Sequence, residues 1–429
     1  MNQTHWKRNV TLFIIGQGIT LFGSMLVHYA VMWHITLQTQ SGIMMTLLAA
    51  AGTLPMFFLS PFAGVWADRY NKKNLINLAD GVIALVTLLM AGLFSQGVDS
   101  IALLLLCLVL RAFGQSIQTP SVNALIPELV PPEQLTRVNS LSSGLQSFVM
   151  FASPMAGGAL LATAPIHILM LLDVVTATIG IVILFFFVKV PARSQSEKLP
   201  QKGVQAFTDI KEGLRYIRKN AFLRKAILLT ALFNIMIAPV AVMTPLQVAR
   251  NYGDDIWLIL NGFPFGPPQR LAAVEVVFFV GMMIGALVLA LWGGFRNKSH
   301  TMALSTFFLG AGCMGLGVLS NFWGYLLCTG FIGIVMNLFN PPMMATMQIN
   351  IDSTYMGRVF SVLSMIGGVM MPLGMVLWGP LGDIVDIGWL LLASGAVVFL
   401  MGFIFLWDKS MLQAGEATLP GLAEEQIHA

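Results

Sequence analysis

The sequence predicts an all-α membrane protein with twelve transmembrane helices, arranged as two six-helix pseudo-symmetric bundles. Three observations carry that fold class. Of the 429 residues, 57% are apolar and only 10% are charged, whereas a soluble chain of this size carries about a quarter charged residues. No soluble fold hides so much apolar surface, because its outer shell must face water. The apolar residues gather into twelve stretches, each close to the roughly 20 residues that cross a bilayer. Those stretches fall as six, a polar linker, and six.

The first span is placed at 9–36. It follows Lys7-Arg8 and runs past Thr36 with no small-residue cleavage site, so it is expected to stay as a span and not to be removed as a signal peptide. Span two, 42–67, ends at the charged run 68–73, and span three, 74–96, starts behind it. Span four is 101–120, span five, 138–163, opens after Arg137, and span six, 166–190, ends beside Lys189. The second set falls at 223–249, 273–294, 301–319, 322–342, 357–382 and 386–407. This gives an N-terminal bundle over 1–190, a cytoplasmic linker over 191–222, a C-terminal bundle over 223–408 and a cytoplasmic tail over 409–429.

Basic residues test the topology. With the N-terminus placed in the cytoplasm, only Arg250 and Arg270 of the 23 Lys and Arg fall outside, and Arg111 lies within a span. This is the asymmetry of the positive-inside rule. It puts both termini in the cytoplasm and suits a bacterial inner membrane. The net charge of +4 is thereby a matter of topology, and no aromatic-basic module points to nucleic acid. Cys107, Cys313 and Cys328 all lie in apolar runs and read as small core residues, not as a disulfide framework or metal site.

In the linker, Phe207, Ile210, Leu214 and Ile217 recur at three- and four-residue spacing. That pattern predicts an amphipathic helix lying on the membrane surface with its basic face outward. The two halves also repeat. Pro120, Ala124, Arg137, Val138, Ser140 and Ser143 match Pro341, Ala345, Arg358, Val359, Ser361 and Ser364 at a constant offset. Trp66, Asn71 and Lys72 match Trp292, Asn297 and Lys298 in the same way. Duplicated six-helix units are the mark of a secondary transporter whose site lies between its halves.

The sharpest local motif is Gly64-Val-Trp-Ala-Asp68-Arg69-Tyr-Asn-Lys72-Lys73, between spans two and three. Here the sequence resembles the major facilitator superfamily, whose signature in that loop is Gly-x-x-x-Asp-Arg/Lys-x-x-Arg/Lys-Arg/Lys. The resemblance implies the major facilitator fold and a conformational latch at Gly64, Asp68, Arg69 and Lys72. Asp68 is placed to stabilise the positive N-terminus of span eleven near Gly357 or to pair with Arg358. The second copy, Trp292-Gly-Gly294-Phe-Arg-Asn-Lys298, has Gly294 where the acid would stand.

Arg111 lies about ten residues into span four. A charge there costs several kcal/mol without a partner or water, which makes it a functional candidate. The stretch Leu110-Arg111-Ala-Phe-Gly114-Gln115 resembles the family's motif in that helix, whose arginine is linked to proton coupling; snorkelling and a structural pair are the alternatives. Four acids lie in or near spans: Asp80, Asp173, Glu275 and Asp383. Asp173 and Glu275 are the leading candidates for a proton carrier or cation site, since a carboxylate in an apolar span is costly to leave charged. Either one capping or pairing at the rim is the competing reading. Asp80 is a further coupling candidate or a structural hydrogen-bonding residue, and Asp383 is expected to be a solvated loop residue.

Ser153-Pro154-Met-Ala-Gly157-Gly158 resembles the Gly-Pro-x-x-Gly-Gly core of the family's antiporter motif, with Ser153 in place of the first glycine. That resemblance favours export over uptake. Met371-Pro372-Leu-Gly374 in span eleven likewise joins a bend to a close-packing residue. A transport cavity would draw on Gln17, His28, Asn234, Gln247, Asn337 and Asn340. The 27 methionines and 29 phenylalanines supply adaptable apolar contacts for bulky amphipathic substrates.

Along its length the chain resembles the macrolide-efflux branch of the drug:proton antiporters. The shared residues are Gly16-Gln17, Thr119-Pro120-x-x-Asn123-Ala124, Leu129-Val130-Pro-x-Glu133-Gln134-Leu135-Thr136, and Gly357-Arg358-Val359-Phe360-Ser361. The loop from Asn251 to Val274 departs from the pattern and reads either as a lid or as an insertion. The resemblance implies proton-coupled efflux of hydrophobic drugs by rocker-switch exchange, with a dedicated siderophore or metabolite exporter as the alternative. The partners implied are small hydrophobic substrates, protons and the lipid bilayer, with the chain acting as a monomer. No cofactor is expected, the proton gradient being the energy source. An enzyme is disfavoured because no HExxH, Gly-x-Ser-x-Gly, Walker loop or Cys/His cluster occurs.

Overall fold

The computed structural model describes residues 3–190, 202–252, 266–352 and 355–416, and among them every regular element is a helix. The first six long helices are α1 (Gln3–Thr39), α2 (Gly42–Arg69), α3 (Lys72–Ser95), α4 (Ile101–Leu129), α5 (Leu135–Thr163) and α6 (Ile166–Val182), the last continued by a π-turn over Ile183–Phe187. Then come α7 (Lys202–Lys219), α8 (Ala221–Asn251), α9 (Pro267–Trp292), α10 (Lys298–Val318), α11 (Phe322–Asn350), α12 (Met356–Leu381), α13 (Ile387–Trp407) and the short α14 (Lys409–Glu416). Twelve of these are long and apolar enough to cross a membrane. Large apolar side chains such as Leu291, Leu327 and Phe186 stand outward and exposed, as they do where the solvent is lipid.

Helix ends differ from expectation where prolines occur. Span four was expected to stop at Pro120 and span ten at Pro342. Instead α4 runs through Pro120 and Pro127 to Leu129, and α11 runs through Pro341 and Pro342 to Asn350. Proline bends a buried helix without ending it when neighbouring helices supply the lost hydrogen bonds. Pro267 and Pro268 start α9 earlier than position 273, in the first turn where no amide donor is required. Of the 251–274 loop, residues 253–265 lie outside the described residues.

The chain groups into two compact units. One comprises Met1–Gln40, Met44–Lys202 and Val248–Val276, and the other Ser41–Ile43, Gly203–Gln247 and Val277–Ala429. In the first unit, a core of Val10, Phe13, Ile14, Ile76, Leu125, Leu129 and Leu184 joins α1, α3, α4 and the π-turn after α6. Helices α1 and α6 approach through Gly16 and Gly180: a Cβ on Gly180 would stand 3.1 Å from the Gly16 carbonyl oxygen. Lys73 closes the end of α6, donating to the carbonyls of Phe185 at 2.9 Å and Val188 at 2.8 Å, as a cation does at a helix C-terminus.

In the second unit, α9 and α11 cross with backbones in contact. A Cβ on Gly285 would lie 2.8 Å from the carbonyl carbon of Ile334. Beside that crossing Asn337 donates to the Met282 carbonyl at 2.6 Å. The helix α7 docks on the start of α12, with Tyr216 stacked on Tyr355 at 4.5 Å and Glu212 paired with Arg358 at 2.9 Å. In its amphipathic pattern Ile217 is buried but Leu214 is exposed; the side chains of Phe207 and Ile210 lie outside the described residues. Past the last span, α14 folds back: Ser299 donates to the Met411 carbonyl at 2.6 Å and Asn297 to that of Leu412 at 3.1 Å.

The internal repeat has a structural reason. Asn71 caps α3 through the Asn74 amide, and its counterpart Asn297 caps α10 through the Ser299 amide. Gly294 stands where an acid was expected because the chain there turns through two left-handed residues, Gly293 at φ 75° and Gly294 at φ 80°. A side chain is strained in that conformation. By contrast, α2 stays helical to Arg69. Asp383 lies in an exposed turn after α12, as expected of a loop residue, but its side chain is engaged. Its carboxylate accepts from the Ser41 hydroxyl at 2.9 Å and from the amides of Gly42 at 2.7 Å and Ile43 at 2.9 Å, an N-cap arrangement for the helix that starts there.

Candidate functional site: a polar ladder inside the first unit

Three helices of the first unit carry polar residues seven positions apart: Gln17 and Ser24 on α1, Asp80 and Thr87 on α3, Arg111 and Gln118 on α4. Seven residues make almost two helical turns, so each pair shares a face about 10 Å apart along the axis. Because α4 runs against α1 and α3, the pairs meet as two rungs, Ser24–Thr87–Arg111 and Gln17–Asp80–Gln118.

The first rung is closed by Asp173 of α6. Arg111 is 2% exposed and Asp173 0%. The Arg111 guanidinium donates to the Asp173 carboxylate and to the Thr87 hydroxyl. The Ser24 hydroxyl donates to the other Asp173 oxygen at 3.3 Å, and a second Arg111 nitrogen reaches the Ser24 carbonyl at 3.5 Å. Thr87 in turn donates to its own helix at the Ile83 carbonyl, 2.8 Å away. Charge and hydrogen bonds are thus satisfied together, the condition under which a buried ion pair persists.

The second rung is unfinished. Asp80 is 2% exposed. Gln17 and Gln118 lie within hydrogen-bonding range of its carboxyl, and Gln118 also donates to the Gln17 carbonyl oxygen at 3.0 Å. The Asp80 Oδ2 has no hydrogen-bond partner among the described residues, nor have the amide oxygen and nitrogen of Asn77, one turn away on α3. Gln17 and Gln118 also border a cavity of about 160 Å³ between α1, α4 and α5, together with Asn123 and Gln146.

The other sequence-predicted residues are placed elsewhere. His28 is exposed one turn beyond Ser24 and meets Tyr29 edge-on at 5.8 Å. Glu275, half-buried on α9, lies within electrostatic range of Tyr29. In the second unit, Asn234 bonds its own helix at the Thr230 carbonyl, 2.8 Å, and Gln247 reaches the Leu316 carbonyl at 3.0 Å. Asn337 is engaged with α9, and Asn340 is exposed. Lys72 is buried in an ion pair with Glu128 at 2.7 Å. Gly64, Asp68 and Arg69 lie on α2, but the side-chain surroundings of these positions are outside the described residues. Arg358 is held by Glu212.

Sequence reasoning missed Ser24, Thr87, Asn77 and Gln118. The signal that would have found them is the shared seven-residue spacing of polar positions on three different spans. No group of three or more potential metal ligands occurs among the described residues.

The fold belongs with a known group of proteins. The Major Facilitator Superfamily profile matches residues 10–375. The chain is 25% identical over 402 residues to Macrolide efflux protein A of Streptococcus pyogenes, covering 93% of this chain and 96% of that one. It is 22% identical over 412 residues to the Staphyloferrin A transporter of Staphylococcus aureus, covering 95% and 99%. The crystal structure of a POT family transporter in complex with 5-aminolevulinic acid shares the fold, at a TM-score of 0.69 and 12% identity over 93% of this chain and 95% of that one. The chain belongs to the Major Facilitator Superfamily and is a multi-pass membrane transporter, not an enzyme.

Proposed function

We propose that this transporter exports hydrophobic and amphipathic drugs, of macrolide or multidrug type, in exchange for protons by rocker-switch alternating access. One observation carries the coupling: the ladder buries two carboxyl groups, Asp173 paired with the Arg111 guanidinium and Asp80 on the neighbouring rung. A carboxyl that gains or loses a proton between two conformations biases their equilibrium by the difference in its interaction energy. Arg111, Asp173, Asp80 and Glu275 are the coupling residues of this reading. Gln17, His28, Asn234, Asn337 and Asn340 are its substrate-cavity residues, and Gly64, Asp68, Arg69, Lys72 and Arg358 its latch. The protein acts as a monomer in the bacterial inner membrane, both termini cytoplasmic, and draws on the proton gradient without a cofactor.

The substrate class is supported by the likeness to Macrolide efflux protein A. The likeness to a Staphyloferrin A transporter favours a second reading, a dedicated siderophore exporter. A susceptibility screen of an exporter-deficient strain expressing the chain, run against macrolides, dyes and siderophores, separates the two. Resistance to several unrelated apolar compounds is expected. Activity confined to a siderophore selects the second reading. In inverted vesicles, dye movement should collapse with a protonophore, and ATP alone should drive none.

A further inference from the structure

We propose that the second rung is a binding subsite for a small cationic head, a primary or secondary ammonium group carried by the substrate. Its acceptors are Asp80 Oδ2 and the Asn77 carboxamide oxygen. The proposal rests on the exporter reading and names where on the protein a charged part of the substrate is held.

The geometry points there for three reasons. First, charge is unbalanced. Arg111 is committed to Asp173, Thr87 and Ser24, so Asp80, buried on the same face of α3 about two turns from Thr87, lacks a cation among the described residues. The charged group within electrostatic range of it is Asp173 from α6, itself paired with Arg111 from α4, and the neutral Gln17 from α1 and Gln118 from α4 complete its surroundings. Second, hydrogen bonding is incomplete at this rung. Asp80 Oδ2 and both amide atoms of Asn77 lack partners among the described residues. Residues 77 and 80 are three apart on one helix and so project to the same side. A buried acceptor left without a donor is costly, more so when charged. An ammonium offers donors of the required sign. Third, there is an approach. Gln17 and Gln118 contact the Asp80 carboxyl on one side and border the cavity on the other. The two are joined to each other by a hydrogen bond of 3.0 Å, between the cavity they border and the carboxyl they contact. Neutral carboxamides make a wall that admits a cation without trapping it, which two acids would do.

A matched pair of probes tests this: dansylcadaverine, a primary ammonium at neutral pH, and its uncharged N-acetyl derivative. Binding to the purified full-length transporter in lipid nanodiscs is read by dansyl fluorescence, with empty nanodiscs as the blank. The wild type should prefer the amine by about tenfold or more. Asp80→Asn should abolish that preference while leaving the acetylated probe's affinity unchanged. Asn77→Leu should weaken the amine several-fold, and Gln118→Ala should speed its entry. Sodium ions up to physiological concentration should not compete.

An Asp80→Asn protein that elutes as a folded monodisperse species and still prefers the amine overturns the subsite. So does competition by sodium alone, which would assign the rung to a metal cation. Equal affinity of the wild type for both probes removes the subsite and leaves the exporter reading standing. Failure of the wild type to bind either probe counts against both.

Discussion

Arg111 on α4 and Asp173 on α6 form an ion pair with both partners buried, and Ser24 and Thr87 complete its hydrogen bonds from α1 and α3. One interaction therefore ties four helices of the first unit. Removing either partner strands a charge away from water, which costs more than the pair itself contributes.

Asp173→Ala is accordingly expected to destabilise the protein by about 3–5 kcal/mol, through the uncompensated Arg111. The double variant Arg111→Met with Asp173→Leu should recover most of that loss while remaining inactive in transport. Thermal unfolding of the detergent-solubilised protein measures the first, and dye efflux the second. A double variant no more stable than Asp173→Ala would show that the pair is not the unit on which stability depends.

The crossing of α9 and α11 predicts a steric effect with no electrostatic part. Gly285→Val places atoms where the Ile334 backbone already stands, so the helices must separate. Overpacking of this kind costs about 1–3 kcal/mol. The variant should show a lowered unfolding temperature, and Gly81→Val, where a Cβ meets nothing within 4 Å, should not.

Docking of α7 rests on Glu212, Gly213 and Tyr216. A Cβ on Gly213 would meet the Arg358 carbonyl oxygen at 2.9 Å. Gly213→Val should lift the helix from α12 and speed tryptic cleavage at Arg215 and Arg218 several-fold. Glu212→Gln should have a small effect, since a partly exposed pair contributes only about 0–1 kcal/mol. Equal cleavage rates in wild type and Gly213→Val would contradict the docking.

A pH dependence follows from Asp408, which lies past the last span. Burial raises its carboxyl, but the hydrogen bonds from Lys225, Ser410 and the Met411 amide, with the Lys225 charge, outweigh that and bring it down to about 2. A carboxyl depressed in the folded state contributes stability above its ordinary value near 3.8 and loses it as pH falls toward 2. The difference in unfolding temperature between wild type and Asp408→Asn should therefore be constant from pH 5 to 8 and shrink below about 4. A difference that grows on acidification would refute the pair.

Much of this was legible in the sequence, for reasons specific to membranes. Twelve apolar stretches have few other solutions in a bilayer, and the paired Asn71 and Asn297 mark helix starts in both halves. The ladder was only half legible. Arg111, Asp80 and Asp173 stand out because charges are rare in spans. Ser24 and Thr87 do not, because a serine or threonine in a span satisfies itself on the preceding turn, as Thr20 does at the Gly16 carbonyl and Thr36 at that of Met32. Which of them also crosses to another helix depends on packing. Gln118 was hidden because Pro120 suggested a helix end just beyond it. The partners of Asp383 were hidden because they lie far away in the chain, at 41–43, and two of the three are backbone amides with no side-chain signature.

Proton exchange predicts a counterflow of protons whenever drug crosses the membrane. The protein is reconstituted in liposomes containing a pH-sensitive dye, and erythromycin is added on one side with no imposed gradient. Drug entry should drive protons out, raising the internal pH, and Asp173→Asn should abolish the signal. Erythromycin accumulation with no change in internal pH, in liposomes shown to be proton-tight, would contradict proton exchange as the driving reaction.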